Sequence, residues 1–169
     1  INRDGSTIIK IYYNRNVITY TFKSEGGVWG EDGNDIILSG LYGAELEIPS
    51  SPSKIGYNFG NWSQKVPQIF GPSDVVFSAV WVPAEGTAYI VEHWFQNIEN
   101  DEYTKVTEET EYKTGTTDSQ TEAVSKEYEG FTAKAFEQNK IAPDGSSVIQ
   151  IHYDRNIIEY TFNTGMGYF

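Results

Sequence analysis

Along much of the chain apolar and polar residues alternate with a period of two, the pattern of strands with one buried face. In 6–13, Ile9, Ile11 and Tyr13 alternate with Lys10 and Tyr12, and in 17–23, Ile18, Tyr20 and Phe22 alternate with Thr19 and Thr21. Similar stretches rich in β-branched and aromatic residues predict strands over 36–38, 45–48, 75–81, 89–96, 103–112, 147–153 and 157–163. A helix is predicted over 118–126, where Thr117 or Asp118 can cap its start and acids lie in its first turns. Asp4-Gly5 and Asp144-Gly145 stand just before strands, where Asp-Gly suits a tight turn.

The pattern repeats. Residues 1–27 align without gaps to 141–167, with 14 identities in 27 positions at an offset of 140. Such a match predicts a tandem array of about 140 residues per unit, of which this chain holds slightly more than one. Ile1 falls inside the repeat, so the chain is expected to be a piece of a longer protein. Comparing the copies separates buried from exposed positions: Ile9, Ile11 and Tyr13 recur as Ile149, Ile151 and Tyr153, whereas Lys10 and Tyr12 become Gln150 and His152. The inward parity then changes between Tyr13 and Ile18, which a single straight strand cannot accommodate. Asn14–Asn16 therefore reads as a module boundary, and Val82-Pro83-Ala84-Glu85-Gly86 as a second.

The expected organisation is a closing strand of a preceding repeat (1–16), module A (17–83), module B (84–156) and the opening strand of the next repeat (157–169). Each module reads as a small, mainly β domain with one short helical element, an α+β arrangement. The severed strands should seek partners: 157–162 and 8–13 are expected to dock on a neighbouring chain or on an exposed edge of the chain's own modules.

Composition narrows the function. The 24 acids outnumber the 12 bases, for a net charge of −12, and no basic stripe is present to meet nucleic-acid phosphates. Module B carries most of it, with 15 acids against 6 bases. With 38% hydrophobic and 15% aromatic residues the chain can bury a core, unlike an acidic disordered tail. There is no cysteine, hence no disulfide framework, and the apolar runs fall well short of the roughly 20 residues a membrane helix requires.

Module A resembles the Listeria–Bacteroides repeat, the B-repeat type of internalins. The match is carried by Tyr20-Thr21-Phe22, Gly26-Gly27, Tyr42-Gly43, Gly56-Tyr57-Asn58-Phe59-Gly60-Asn61-Trp62 and Ala79-Val80-Trp81, in that order, with Asn61 and the loop 30–34 as departures. Module B is similar to the β-grasp module that alternates with it in surface proteins of Gram-positive and related bacteria, and more distantly to mucin-binding repeats. Its matching stretches are 89–94, Lys113-Thr114-Gly115-Thr116, Tyr128-Glu129-Gly130-Phe131 and 144–156. The resemblance implies two ubiquitin-like β-grasp modules in tandem along an extracellular adhesin or stalk at the bacterial cell surface or cell wall. It implies neighbouring repeats as partners, a host surface glycoprotein or mucin-type glycan as the alternative, no catalysis and no cofactor.

Candidate chemistry is sparse. Gly30, Gly33, Asp35 and Ile37 match part of a calcium-binding nonapeptide, but Glu31 replaces a glycine and no second turn follows, so an acidic hairpin loop is the simpler reading. Asn97–Glu102 reads as a solvated turn, and Glu108-Glu109-Thr110-Glu111 as a charged strand edge. No metal site is therefore expected. His152 replaces Tyr12 of the other copy, as an exposed residue would, and His93 lies in an alternating strand where packing is commoner than base catalysis. Trp62 and Trp81 read as core residues. Trp94 and Phe95 are adjacent in a strand and so face opposite ways, which makes one of them a candidate contact for a glycan or protein.

Overall fold

The computed structural model describes residues 2–30, 33, 35–162 and 165. The fold is mainly β, with two sheets and, among the described residues, a single three-residue 3₁₀ turn as its helical content. No helix among them is long and apolar enough to cross a membrane. The chain divides into two compact units: the first holds the residues up to Lys54 and Asn58–Val82, the second Ile55–Tyr57 and the residues from Pro83 onward.

In the first unit β1 (Val17–Lys23), β2 (Ile36–Leu41), β3 (Tyr57–Trp62) and β4 (Val75–Pro83) form a sheet of order β2-β1-β4-β3. β1 runs antiparallel to β2 and parallel to β4, with Tyr20 opposite Val75 and Phe22 opposite Phe77. The alternation of β1 is kept in three dimensions: Ile18, Tyr20 and Phe22 are buried together with Leu46, Phe70 and Phe77. Aromatic rings dominate this core; Phe22 stacks on Phe77 at 4.9 Å and meets the edge of Trp62 at 5.1 Å. Gly40 is required on β2, because a Cβ there would lie 2.3 Å from the Phe70 ring. β3 escaped the alternation pattern because Tyr57-Asn58-Phe59-Gly60-Asn61-Trp62 mixes poor strand formers among its aromatics. The strand expected over 45–48 is reduced to one bridge, Glu45 opposite Ile69.

The second unit contains β5 (Thr87–Gln96), β6 (Tyr103–Lys105), β7 (Glu111–Gly115), β8 (Phe131–Ala133) and β9 (Val148–Arg155). Its path is β6-β5-β9-β8, with β7 also on β5, and again the first and last strands, β5 and β9, are parallel neighbours. The core is Tyr89, Val91, Ala123, Ile141, Ile149, Ile151 and Tyr153. The strand expected over 103–112 is broken. Lys105 lies opposite Trp94 and Glu111 opposite Val91, so 106–110 have only 92–93 to face, and the excess chain folds out as the 3₁₀ turn Thr107–Glu109.

The helix expected over 118–126 is absent. Asp118 sits in the left-handed region at φ 64°, which interrupts a right-handed helix at its start. Beyond it Thr121 and Ala123 are buried while Glu122 and Val124 are exposed, the alternation of extended chain. Other residues bond this backbone: the Gln138 side chain accepts from Ala123 N–H (3.0 Å) and donates to Ala123 O (2.7 Å), and Lys126 N–H donates to the Tyr153 hydroxyl (3.0 Å). Nor does the first unit hold a helical element among its described residues.

The strands expected over 6–13 and 157–163 are likewise missing. Residues 2–16 and 157–162 lie in no strand, are exposed, and dock on no edge of the chain's own sheets. The physical reason is that each needs a particular slot. The place that 8–13 would fill is the one beside a β5 strand, and β9 already occupies it here. Residue 163 lies outside the described residues.

Candidate functional site

β5 is the spine of the second unit, and its two faces carry different chemistry. The inward face presents Tyr89, Val91, His93 and Phe95, the outward face Ile90, Glu92, Trp94 and Gln96. Trp94 and Phe95 thus lie on opposite faces, both half-buried, Trp94 on the outward one. Phe95 packs inward, with ring centroids 4.7 Å from Tyr128, 4.6 Å from Phe131 and 5.3 Å from Tyr153.

On the outward face the parallel register places Trp94 beside His152, their rings stacked at 6.0 Å. Tyr103 reaches across from β6 and sets its ring edge-on to His152 at 4.8 Å, making a strip of three rings. Polar groups flank it. Trp94 Nε1 donates to Glu92 (3.1 Å), which also accepts from Lys105 Nζ (2.7 Å) and the Gln150 amide (3.2 Å). The Lys105 hydrogen bond holds Glu92 below the usual carboxylate range against the opposing effect of burial. At the other end the Tyr103 hydroxyl donates to Asp154 and accepts from Lys134 Nζ (3.2 Å). Flat rings bordered by fixed carboxylates, amides and ammonium groups can stack on an apolar ligand face while bonding its polar rim. Sequence reasoning found Trp94 but not His152 or Tyr103, because their approach depends on strand register between distant segments.

Behind the sheet lies a buried polar chain. The fully buried His93 bonds Tyr153 Oη through Nδ1 (2.8 Å) and Glu111 Oε1 through Nε2 (2.9 Å). The Tyr153 hydroxyl also accepts from Lys126 N–H (3.0 Å), so it joins the buried histidine to the backbone of the 121–128 segment. Lys113 and Lys126 also approach Glu111, at 3.2 and 3.5 Å. Burial pushes the Glu111 carboxyl up, but the hydrogen bonds from His93 and Lys113 and the charges of Lys113 and Lys126 together bring it below its ordinary value. Lys126 also bonds Glu109 (2.9 Å), which accepts from Tyr128 (2.8 Å). Burial, followed by the Glu109 hydrogen bond, raises the Tyr128 hydroxyl. This network pins 121–128 to the sheet in place of a helix. With both ring nitrogens engaged and no exposed surface, His93 has no path to a substrate.

The remaining candidates are elsewhere. Trp62 lies against Phe22, and Trp81 Nε1 donates to Ser24 O at 2.9 Å. Of the partial calcium motif, Gly30 and Gly33 both take positive φ, 60° and 61°, as turn residues do, while residues 31, 32 and 34 between its matching positions lie outside the described residues. In the 97–102 turn the Asn100 side chain accepts from Asn97 (3.0 Å) and from Glu102 N–H (2.9 Å), so its oxygen is spent on the turn itself.

No protein-family model matches the chain, and no curated protein sequence does. Among solved structures, domains 3–4 of the Streptococcal High Identity Repeats in Tandem (SHIRT) from a cell surface protein share 17% identity, with 83% of this chain and 98% of that chain covered and a TM-score of 0.29. Mub-RV shares 13% identity over 83% of this chain and 99% of its own, with a TM-score of 0.24. Overlap this low carries no argument about how this chain folds or what it binds.

Proposed function

We propose that the chain is a non-catalytic tandem repeat of a bacterial cell-surface adhesin or stalk, carrying modules 17–83 and 84–156. In this reading the first module is of the Listeria–Bacteroides repeat type and the second a mucin-binding-like module, both with β-grasp sheets whose crossover lacks its helix. Two sheets with parallel central strands flanked by antiparallel partners support the sheet type. The observation that carries the tandem reading is the internal repeat itself, 14 identities in 27 positions at an offset of 140. The exposed, unpaired 8–13 and 157–162 fail the docking expected of them, which counts against boundaries placed at 14–16 and 154–156, although 148–155 is a strand where 8–15 is exposed and 17–22 a strand where 157–162 is exposed. Each exposed half then belongs to a unit before or after this one. Small-angle scattering on a chain of three consecutive units tests it: the expected result is a maximum dimension growing with unit number, and a value no greater than that of one unit overturns it.

The ring strip favours a second reading, a binding module for host glycoprotein or mucin-type glycan, in which Trp94 stacks on a sugar face and Glu92 and Gln150 bond its hydroxyls. A glycan array should then show binding that Trp94→Ala abolishes; a blank array with the parent chain counts against this reading.

A further inference from the structure

The two exposed ends hold the two halves of one contact. Asn14-Arg15-Asn16 and Asp154-Arg155-Asn156 are the same point of the repeat, but the first is attached to the unit that follows it and the second to the unit that precedes it. Arg155 looks backward: its backbone N–H donates to Gln96 Oε1 (2.9 Å), its Nε donates to Gln96 O (2.8 Å), and its guanidinium lies 4.8 Å over the Phe131 ring. Arg15 looks forward, with Nη1 donating to Tyr42 O at 3.3 Å. The asparagine divides the same way. Asn156 N–H donates to Gly130 O (2.8 Å) and its Oδ1 accepts from Thr132 (2.6 Å), whereas Asn16 O accepts from Tyr42 N–H (2.9 Å).

No atom is claimed twice. When the copies are overlaid by sequence, one arginine offers Nε backward and Nη1 forward, and one asparagine offers N–H and Oδ1 backward and its carbonyl forward. The strands leave no slack either: β9 ends at Arg155 and β1 begins at Val17, so the equivalent of Asn16 and Asn156 alone separates them. A guanidinium is suited to this role because its donors lie in one rigid plane and can serve two carbonyls at fixed directions.

We infer that successive repeats meet at a rigid joint in which this Arg-Asn pair clamps the β5–β6 turn and β8 region of one repeat to the β2–β3 turn of the next. The partner surface is a second copy of this chain's own first unit. The inference rests on the tandem reading above, and it gives successive repeats a fixed joint in place of a flexible linker.

The test uses a protein of residues 1–156 followed directly by 17–169. Because the sequence has no cysteine, Thr114→Cys in the first copy and Glu47→Cys in the second accept spin labels without competition. Both positions are exposed. Double electron–electron resonance should give one narrow distance peak, which Arg155→Ala in the first copy broadens to the width seen when Gly-Ser-Gly is inserted after the joint asparagine. Arg155→Lys, which keeps the charge but not the planar pair of donors, should broaden it as well. Circular dichroism melts confirm that each variant is folded. A parent peak as broad as that of the inserted protein overturns the joint, and a peak left narrow by both arginine variants overturns the clamp. Scattering on the same protein separates the two levels: an extended particle with a broad peak defeats the joint alone, while a maximum dimension equal to that of a single chain defeats the tandem reading itself.

Discussion

Tyr13 and Tyr153 stand at the same place in the two repeat copies, yet one is 87% exposed and the other 0%. Phe22 and Phe162 reverse the order, at 0% and 91%. Between the copies the inward-facing residues are the same, Ile9, Ile11 and Tyr13 recurring as Ile149, Ile151 and Tyr153 and Ile18, Tyr20 and Phe22 as Ile158, Tyr160 and Phe162, so burial is set by the availability of a neighbouring strand. The turn before each strand behaves differently. In both copies the Asp side chain, Asp4 or Asp144, accepts from the backbone N–H of Ser6 or Ser146 at 3.0 Å and from its hydroxyl at 2.6 Å, and the intervening Gly5 and Gly145 both take φ 75°. Turn chemistry is complete within three residues, whereas a strand needs a distant partner for its backbone bonds and apolar face.

The largest effect that would break this comparison comes from paired truncations. Tyr153→Ala removes a fully buried aromatic and should lower the stability of the second unit by about 3–5 kcal/mol, whereas Tyr13→Ala should stay within about 0.5 kcal/mol. Phe22→Ala and Phe162→Ala should show the same contrast for the first unit. Chemical denaturation monitored by tryptophan fluorescence measures both; equal losses from Tyr13→Ala and Tyr153→Ala would mean that the N-terminal segment is packed in solution.

A smaller effect isolates the hydroxyl. Tyr153→Phe preserves the ring but leaves His93 Nδ1 and Lys126 N–H short of a partner, and buried unsatisfied groups cost about 1–3 kcal/mol. Tyr13→Phe should change nothing. Loss on Tyr153→Phe of less than a few tenths would show that the polar chain behind the sheet does not hold 121–128.

Acid provides a test without mutation. Glu92, Glu109 and Glu111 all lie in the second unit, and all are held below the ordinary glutamate range. A carboxylate lowered in the folded state contributes stability that is complete above its unfolded pKa and is lost as pH falls through the folded one. The second unit should therefore hold its melting temperature down to about pH 5 and lose it progressively below, more steeply than the first. Glu111→Gln should flatten that dependence. A second unit whose melting temperature is independent of pH from 6 to 3 would refute the assignment.

How much of this could be read from sequence follows from the same division between local and distant information. Strands β1 and β9 were legible because Ile18-Thr19-Tyr20-Thr21-Phe22 and Ile149-Gln150-Ile151-His152-Tyr153 alternate strictly, and β4 and β5 because they are rich in β-branched and aromatic residues. β8 was not, since Phe131–Ala133 is too short to show a period. The helix over 118–126 failed because capping residues and acids suggest a start, while the backbone bonds that decide the conformation come from Gln138 and Tyr153. At the ring strip, the opposition of Trp94 and Phe95 was visible from adjacency alone. The meeting of Trp94 with His152 and Tyr103 was not, because it depends on the parallel register of β5 and β9 and on a tyrosine that crosses the sheet.

The smallest expected effect sharpens the comparison where the two copies agree. Asp4 and Asp144 are both held below their ordinary values, first by the hydrogen bond from the neighbouring serine hydroxyl and then by its backbone N–H. Substituting alanine at either position removes the same two bonds, but the consequences should differ. The Asp144 turn feeds β9, whose start at Val148 pairs with Ile90, so its loss raises the cost of ordering a strand that the core depends on. Asp144→Ala should therefore lower the melting temperature of the second unit measurably, by less than the Tyr153→Phe change does. Asp4→Ala should leave both melting transitions in place, because the segment after its turn is ordered against nothing, and should speed amide exchange at Ser6 alone. If Asp4→Ala shifted either melting temperature as far as Asp144→Ala does, the first turn would have to be coupled to a folded core, and the separation between locally encoded turns and partner-dependent strands would not hold for this chain.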